Sequence, residues 1–167
     1  VACVSNILVP QNTIPLVKSA RIYCVFFLLL ASVRPTVAQV VLDNTLSNGG
    51  TLPGPNFNIP AELGKTVGVN LFHSFQEFNL QTGESAAFTG PDRIQNILSR
   101  VTGGNESYID GLIESKIHGA NLYLLNPNGF IFGENSQVSV DGSFTVSTHE
   151  GIRFGEGQFN AVDPDKS

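Results

Sequence analysis

Side chains able to do chemistry are few in this chain and widely spaced. The three histidines are His73 in a Phe-rich stretch, His118 just before Gly119, and His149 after a Ser/Thr-rich stretch. No short spacing of the kind that joins metal ligands links them. Glu77, between Phe75 and Phe78, would have a raised pKa if it faced inward, but alternation lets it face out. Neither paired acids nor a nucleophile beside a base stands out. The sequence therefore nominates no catalytic residue, no metal ligand and no cofactor, and the expectation is a protein that is not an enzyme. Asn105-Glu106-Ser107 fits a glycosylation sequon.

The most informative polar residues have conformational work to do instead. Asn126-Pro127-Asn128-Gly129 lies between Ala120–Leu125 and Phe130–Phe132, two short apolar runs. Pro127 fixes φ, Asn128 and Gly129 tolerate positive φ, and Asn126 can bond its own backbone, so these four residues specify a turn by mechanism. That turn is a corner between two strands.

The elements around it read the same way. Val40-Val41-Leu42 opens as a strand, and two turn clusters follow, Ser47–Gly50 and Leu52–Asn56. Val67–Leu80 alternates in its second half, with Phe72, Ser74, Gln76 and Phe78 or their complement on one face. Ile94, Ile97, Leu98 and Val101 fit helical spacing as well as a strand, and the flanking Gly103-Gly104 favours a strand. Units then follow at Tyr108–Ile113, Asn121–Leu125, Phe130–Phe132, Gln137–Val140, Ser143–Ser147 and Gly151–Phe154. The larger recurrence of apolar strand plus Gly/Asn corner returns at roughly 20 residues or more, the range of stacked solenoids. In such a coil no level buries its inner face alone, so the levels share one core of Val, Ile, Leu and Phe. The final stretch Asp163–Ser167 is not recognisable as a polar cap, and the expectation is a domain truncated at that end.

Near the start, Lys18 and Arg21 precede the apolar run Ile22–Ala31, and Thr36 and Ala38 supply small residues. This reads as a signal peptide cut after Ala38, too short for the roughly 18 apolar residues that span a bilayer. Residues 1–38 are thus an N-terminal extension and leader, and residues 39–167 the domain. Both cysteines, Cys3 and Cys24, fall in the leader, so the exported part should hold neither disulfide nor thiolate site. The whole chain carries a net charge of −5; without Lys18, Arg21 and Arg34 it falls to −8, a poor match for nucleic acid or anionic lipid.

Several separate segments together resemble one known family. They are Leu52–Phe57, Gly68–Asn79, Asn96–Gly104, Ile109-Asp110-Gly111 and Asn126–Gly133, and their order is that of the filamentous-haemagglutinin N-terminal, or two-partner-secretion, domain. The chain has a single NPN element, whereas some members carry an additional NPNL element nearer the start. The resemblance implies an all-β, right-handed parallel β-helix, or β-solenoid, with short extra strands near the N-terminus. It also implies export through the periplasm, with POTRA domains of a cognate outer-membrane transporter as partner. Nucleation of β-helix folding at the cell surface and adhesion to a host or cell-surface glycan or protein would follow. Asn126, Pro127, Asn128 and Gly129 would then be the secretion motif, either as a corner holding the coil or as a transporter contact, and turn chemistry favours the corner. A β-helix enzyme acting on polysaccharide and a non-functional remnant of a larger exoprotein are the alternatives.

Overall fold

Short runs of alternating or continuous apolar residues, each ended by Gly, Asn or Pro, fold here as strands of two to nine residues. The computed structural model describes residues 39–154 and 157–166, so the expected leader over residues 1–38 lies outside the described residues. The strands are β1 (Val40–Leu42), β2 (Gly50–Thr51), β3 (Asn56–Pro60), β4 (Lys65–Val67), β5 (Asn70–Phe78), β6 (Ser85–Thr89), β7 (Asn96–Val101) and β8 (Ser107–Ile109), then β9 (Leu112–Ser115), β10 (Asn121–Leu125), β11 (Phe130–Phe132), β12 (Gln137–Ser139), β13 (Phe144–Ser147), β14 (Gly151–Phe154) and β15 (Gly157–Asn160).

They stack as a parallel β-helix. One sheet runs β5-β7-β10-β13, a second β3-β6-β9-β12, and a third pairs β8 with β11, all in parallel. Asn70 pairs with Asn96 and Asn96 with Asn121, so one circuit takes 25 or 26 residues; the step from Leu122 to Phe144 is shorter. The interior is built of columns such as Leu71, Ile97 and Leu122, or Phe57, Ala86 and Ile113, all buried. Each large member of such a column contributes about 1.5–3 kcal/mol by leaving water. Backbone bonds between levels hold the register.

The two ends differ. At the lower end β1 and β4 both pair antiparallel with β5, and β2 with β1. These are the short extra strands expected near the N-terminus, and they cover an edge that would otherwise invite further pairing. At the upper end Phe132 and Val138 sit in register with buried Ile109 and Ile113 yet are 42% and 44% exposed.

Four local expectations need correction. Leu42 pairs with Phe75 and Val41 with Glu77, which leaves Gln76 as an extra, bulged residue. Simple alternation through Phe78 therefore fails, and Phe75 and Phe78 are both buried. Tyr108–Ile113 is two strands, β8 and β9, because the chain turns at Asp110-Gly111. Strand β3 begins at Asn56, inside what reads as a turn cluster. Finally, Gly151–Phe154 does not continue the coil: β14 forms an antiparallel hairpin with β15. That hairpin lies on the outer face of the first sheet, where the Phe159 and Phe154 rings meet Phe72 at 5.0 and 6.1 Å between centroids.

Candidate functional site: the stacked corners

Asn126–Gly129 forms the corner between β10 and β11. The Gly129 amide donates to the Asn126 carbonyl at 3.0 Å and closes a four-residue turn, while Asn128 donates its amide to Asn126 Oδ1 at 2.9 Å. Positive φ falls on Gly129 alone, at 110°, and not on Asn128. Asn126 is completely buried. Its Nδ2 donates to the Asn105 carbonyl at 3.1 Å and to Ser107 Oγ at 3.0 Å on the level below, and its amide donates to the Ser147 carbonyl above at 3.0 Å. Asn128, at the exposed tip, donates Nδ2 to the Gly103 carbonyl at 2.7 Å. Every polar atom of Asn126 is consumed within the fold.

The other two corners carry polar columns of their own. Between β8 and β9, Asp110 accepts from the Asn135 amide at 2.9 Å, from the Asn135 side chain, and from Thr82 Oγ1, so three levels are joined. The Thr82 and Asn135 hydrogen bonds hold the Asp110 carboxyl below its ordinary value. A Cβ on Gly133 would lie 2.2 Å from Asp110 Oδ1, so the second glycine of the Asn126–Gly133 stretch is needed for close approach. At the start of the first sheet, Asn96 Nδ2 donates to Asn70 Oδ1 at 2.9 Å, Asn121 Nδ2 to Asn96 Oδ1 at 3.0 Å, and the Ser143 amide to Asn121 Oδ1 at 2.8 Å. Sequence reasoning passes over this asparagine ladder, although the spacing Asn70, Asn96, Asn121 is the signal that reveals it.

The ionisable residues are dispersed. His73 is buried, and burial pushes its pKa from 6.5 down to about 4, a shift that the neighbouring Leu63 backbone opposes only in part. Neither ring nitrogen has a partner in hydrogen-bond geometry, nor does Ser99 Oγ, whose residue pairs with His73 across β5 and β7. His118 lies at the surface 2.7 Å from Asp141, and His149 is exposed. Glu77, only partly buried, accepts from Asn105 Nδ2 at 2.7 Å. Among the described residues, no three His, Cys, Asp or Glu side chains come together in a way that could hold a metal ion, and no helix is long and apolar enough to cross a membrane. The charged centre is Arg100, absent from any sequence-based list of site residues and fully buried. Burial lowers its pKa, and Asp43 and Asp165 oppose that shift. For Asp43, burial raises the carboxyl, but hydrogen bonds from Ser74, Thr45 and Thr102 outweigh it and leave it below its ordinary value.

Stacked strands around a shared core, with polar columns at three corners, define a β-solenoid, and among the described residues no group of His, Cys, Asp or Glu side chains forms a metal site. The chain belongs to the TPS secretion domain family, whose model matches residues 38–167, and is a two-partner-secretion type of exported protein. Over 73 residues it is 32% identical to the heme/hemopexin-binding protein of Haemophilus influenzae, a match that covers 44% of this chain and 8% of that protein. No solved structure matches the chain.

Proposed function

We propose that this chain is the N-terminal export domain of a two-partner-secreted, haemagglutinin-like adhesin. It is a non-enzymatic module recognised by periplasmic POTRA domains of a cognate outer-membrane transporter, and it nucleates β-helix folding at the cell surface. The observation that carries this reading is the family match, which runs without a break across all the described residues. In this reading the leader ends at Ala38, and adhesion to a host or cell-surface glycan or protein belongs to the whole exoprotein.

The corner geometry supports a particular order of events. Asn126 is buried with its side-chain and backbone groups all engaged. In this reading a transporter reads Asn126 only in the extended chain, before the coil closes, whereas Pro127 and Asn128 keep part of their surface in the folded corner. An extended segment docks by adding a strand to a sheet edge, where backbone bonds give affinity and alternate side chains give specificity. Once outside, closure of the corners and burial of the core oppose return.

The test is binding of the transporter's periplasmic portion to the chain kept unfolded in mild urea and to the same chain refolded. The proposal requires binding to the unfolded form and loss of binding on folding, together with export that depends on co-expressed transporter. Equal binding to both forms would remove the order of events; export without the transporter would remove the function.

A further inference from the structure

Among the described residues the β14–β15 hairpin forms a sheet of its own and pairs with no strand of the coil. It rests on the first sheet through Phe154 and Phe159, and clefts of about 380 and 460 Å³ lie beside it. An element seated so loosely is expected to open locally before the coil does.

What holds it in place is Arg100 on β7, whose guanidinium reaches three segments far apart in sequence. Its Nε donates to Ser74 Oγ on β5 at 2.7 Å, Nη1 to the Asn160 carbonyl on β15 at 2.6 Å, and Nη2 to Thr45 Oγ1 just after β1 at 3.0 Å. The Phe159 ring lies over the guanidinium at 4.6 Å. Ser74 and Thr45 in turn donate to the two Asp43 oxygens, at 2.5 and 2.6 Å, and Thr102 adds a third bond at 2.8 Å. Asp43 and Arg100 are thus bridged by two hydroxyls, one of them in the N-terminal segment.

A buried cation is tolerated only while its acceptors and counter-charge are in place. With the hairpin lifted, Arg100 gains water and loosens its hold on Ser74 and Thr45. With the Asp43–Thr45 segment lifted, Arg100 stays under the hairpin with its hydroxyl bridges to Asp43 broken and Asp165 as its remaining counter-charge. We infer that the hairpin is a strap that latches the N-terminal strand: β14–β15 and the β1 segment seat and release as one unit through Arg100, while the distant levels of the coil stay closed. The last described strand locks the first.

Hydrogen exchange by mass spectrometry on the purified chain tests this, with Phe159→Ala to loosen the strap and Arg100→Lys to keep charge but lose the fork, which a compact ammonium cannot replace. The reporters at the N-terminal side are the Asp43 amide, bonded to the Ser74 carbonyl, and the Leu52 amide, bonded to the Val40 carbonyl. Either variant should raise exchange at least about tenfold in residues 40–52 and 151–160 together, the scale expected for a buried charged hydrogen bond. Residues 112–115 and 137–139 should keep wild-type protection. A rise confined to 151–160 in Phe159→Ala would show that the strap does not hold the N-terminal strand. A uniform rise that includes 112–115 would show global weakening and equally overturn the latch. If Arg100→Lys fails to fold, the Phe159→Ala profile decides.

Discussion

Acidification from pH 7.5 to 5 should weaken this fold through His73. Its folded value of about 4 lies below the ordinary 6.5, so below pH 6.5 the unfolded chain takes up a proton that the folded chain refuses. The stability at stake is intact above pH 6.5, falls as pH drops through that window, and levels off below about 4. At about 1.4 kcal/mol per pH unit the complete loss is about 3 kcal/mol, of which about 2 kcal/mol has gone by pH 5. For a domain of this size that lowers the melting temperature by something on the order of 8 °C. Asp43 and Asp110 do not intrude: their values are depressed, so their contribution is present above the ordinary carboxylate range and lost only below it. The control is His73→Leu. Neither ring nitrogen has a partner in hydrogen-bond geometry, Ser99 Oγ already lacks one, and the neighbours are Phe75 and Phe88, so the apolar replacement gives up at most the weak influence of the Leu63 backbone. It should melt no lower than wild type at pH 7.5 and stay flat to pH 5. Melting curves followed by far-ultraviolet dichroism across this range measure both. A wild-type curve that does not move, or a leucine variant that keeps the slope, would refute the argument.

Gly129→Val should lower stability by about 1–3 kcal/mol, because φ is 110° there while a Cβ meets nothing within 4 Å, so the cost is backbone strain and not collision. Export and melting temperature should fall together; loss of export with an unchanged melt would mean that the corner is itself a recognition element. Asn96→Ala breaks the asparagine ladder in the middle and should cost about 1 kcal/mol by leaving the half-buried Asn70 and Asn121 side-chain amides unpaired, whereas Asn128→Ala, at an exposed tip, should cost less in the same melt. The upper end, with Phe132 and Val138 exposed, should associate at high concentration, and because β1 and β4 cover the other end, light scattering should show pairs and not filaments. Replacing both residues by Thr should return a monomer.

Most of the coil is legible in the sequence because its strands are short, its corners are chemically marked and its spacing repeats. Asn121–Leu125 and Phe130–Phe132 are bounded by Ala120 and by the Asn126–Gly129 turn, and both strands have the limits that local reasoning draws. Each level is a local unit of this kind, and parallel stacking follows from the need to share one core. The illegible parts depend on distance. Gly151–Phe154 looks like another level, and only the partner strand Gly157–Asn160 and the Phe72 ring decide that it folds back as a strap. Arg100, set among Leu98, Ser99 and Val101, gives no local hint that its acceptors come from residues as far away as Thr45 and Asn160. His73 is similar: alternation leaves open which face of the strand it takes, and its isolation depends on what the next level places opposite it, namely Ser99. Repeat spacing reveals what is stacked. What lies sideways across the stack, where this chain keeps its buried charge, follows no period and must be seen in the fold.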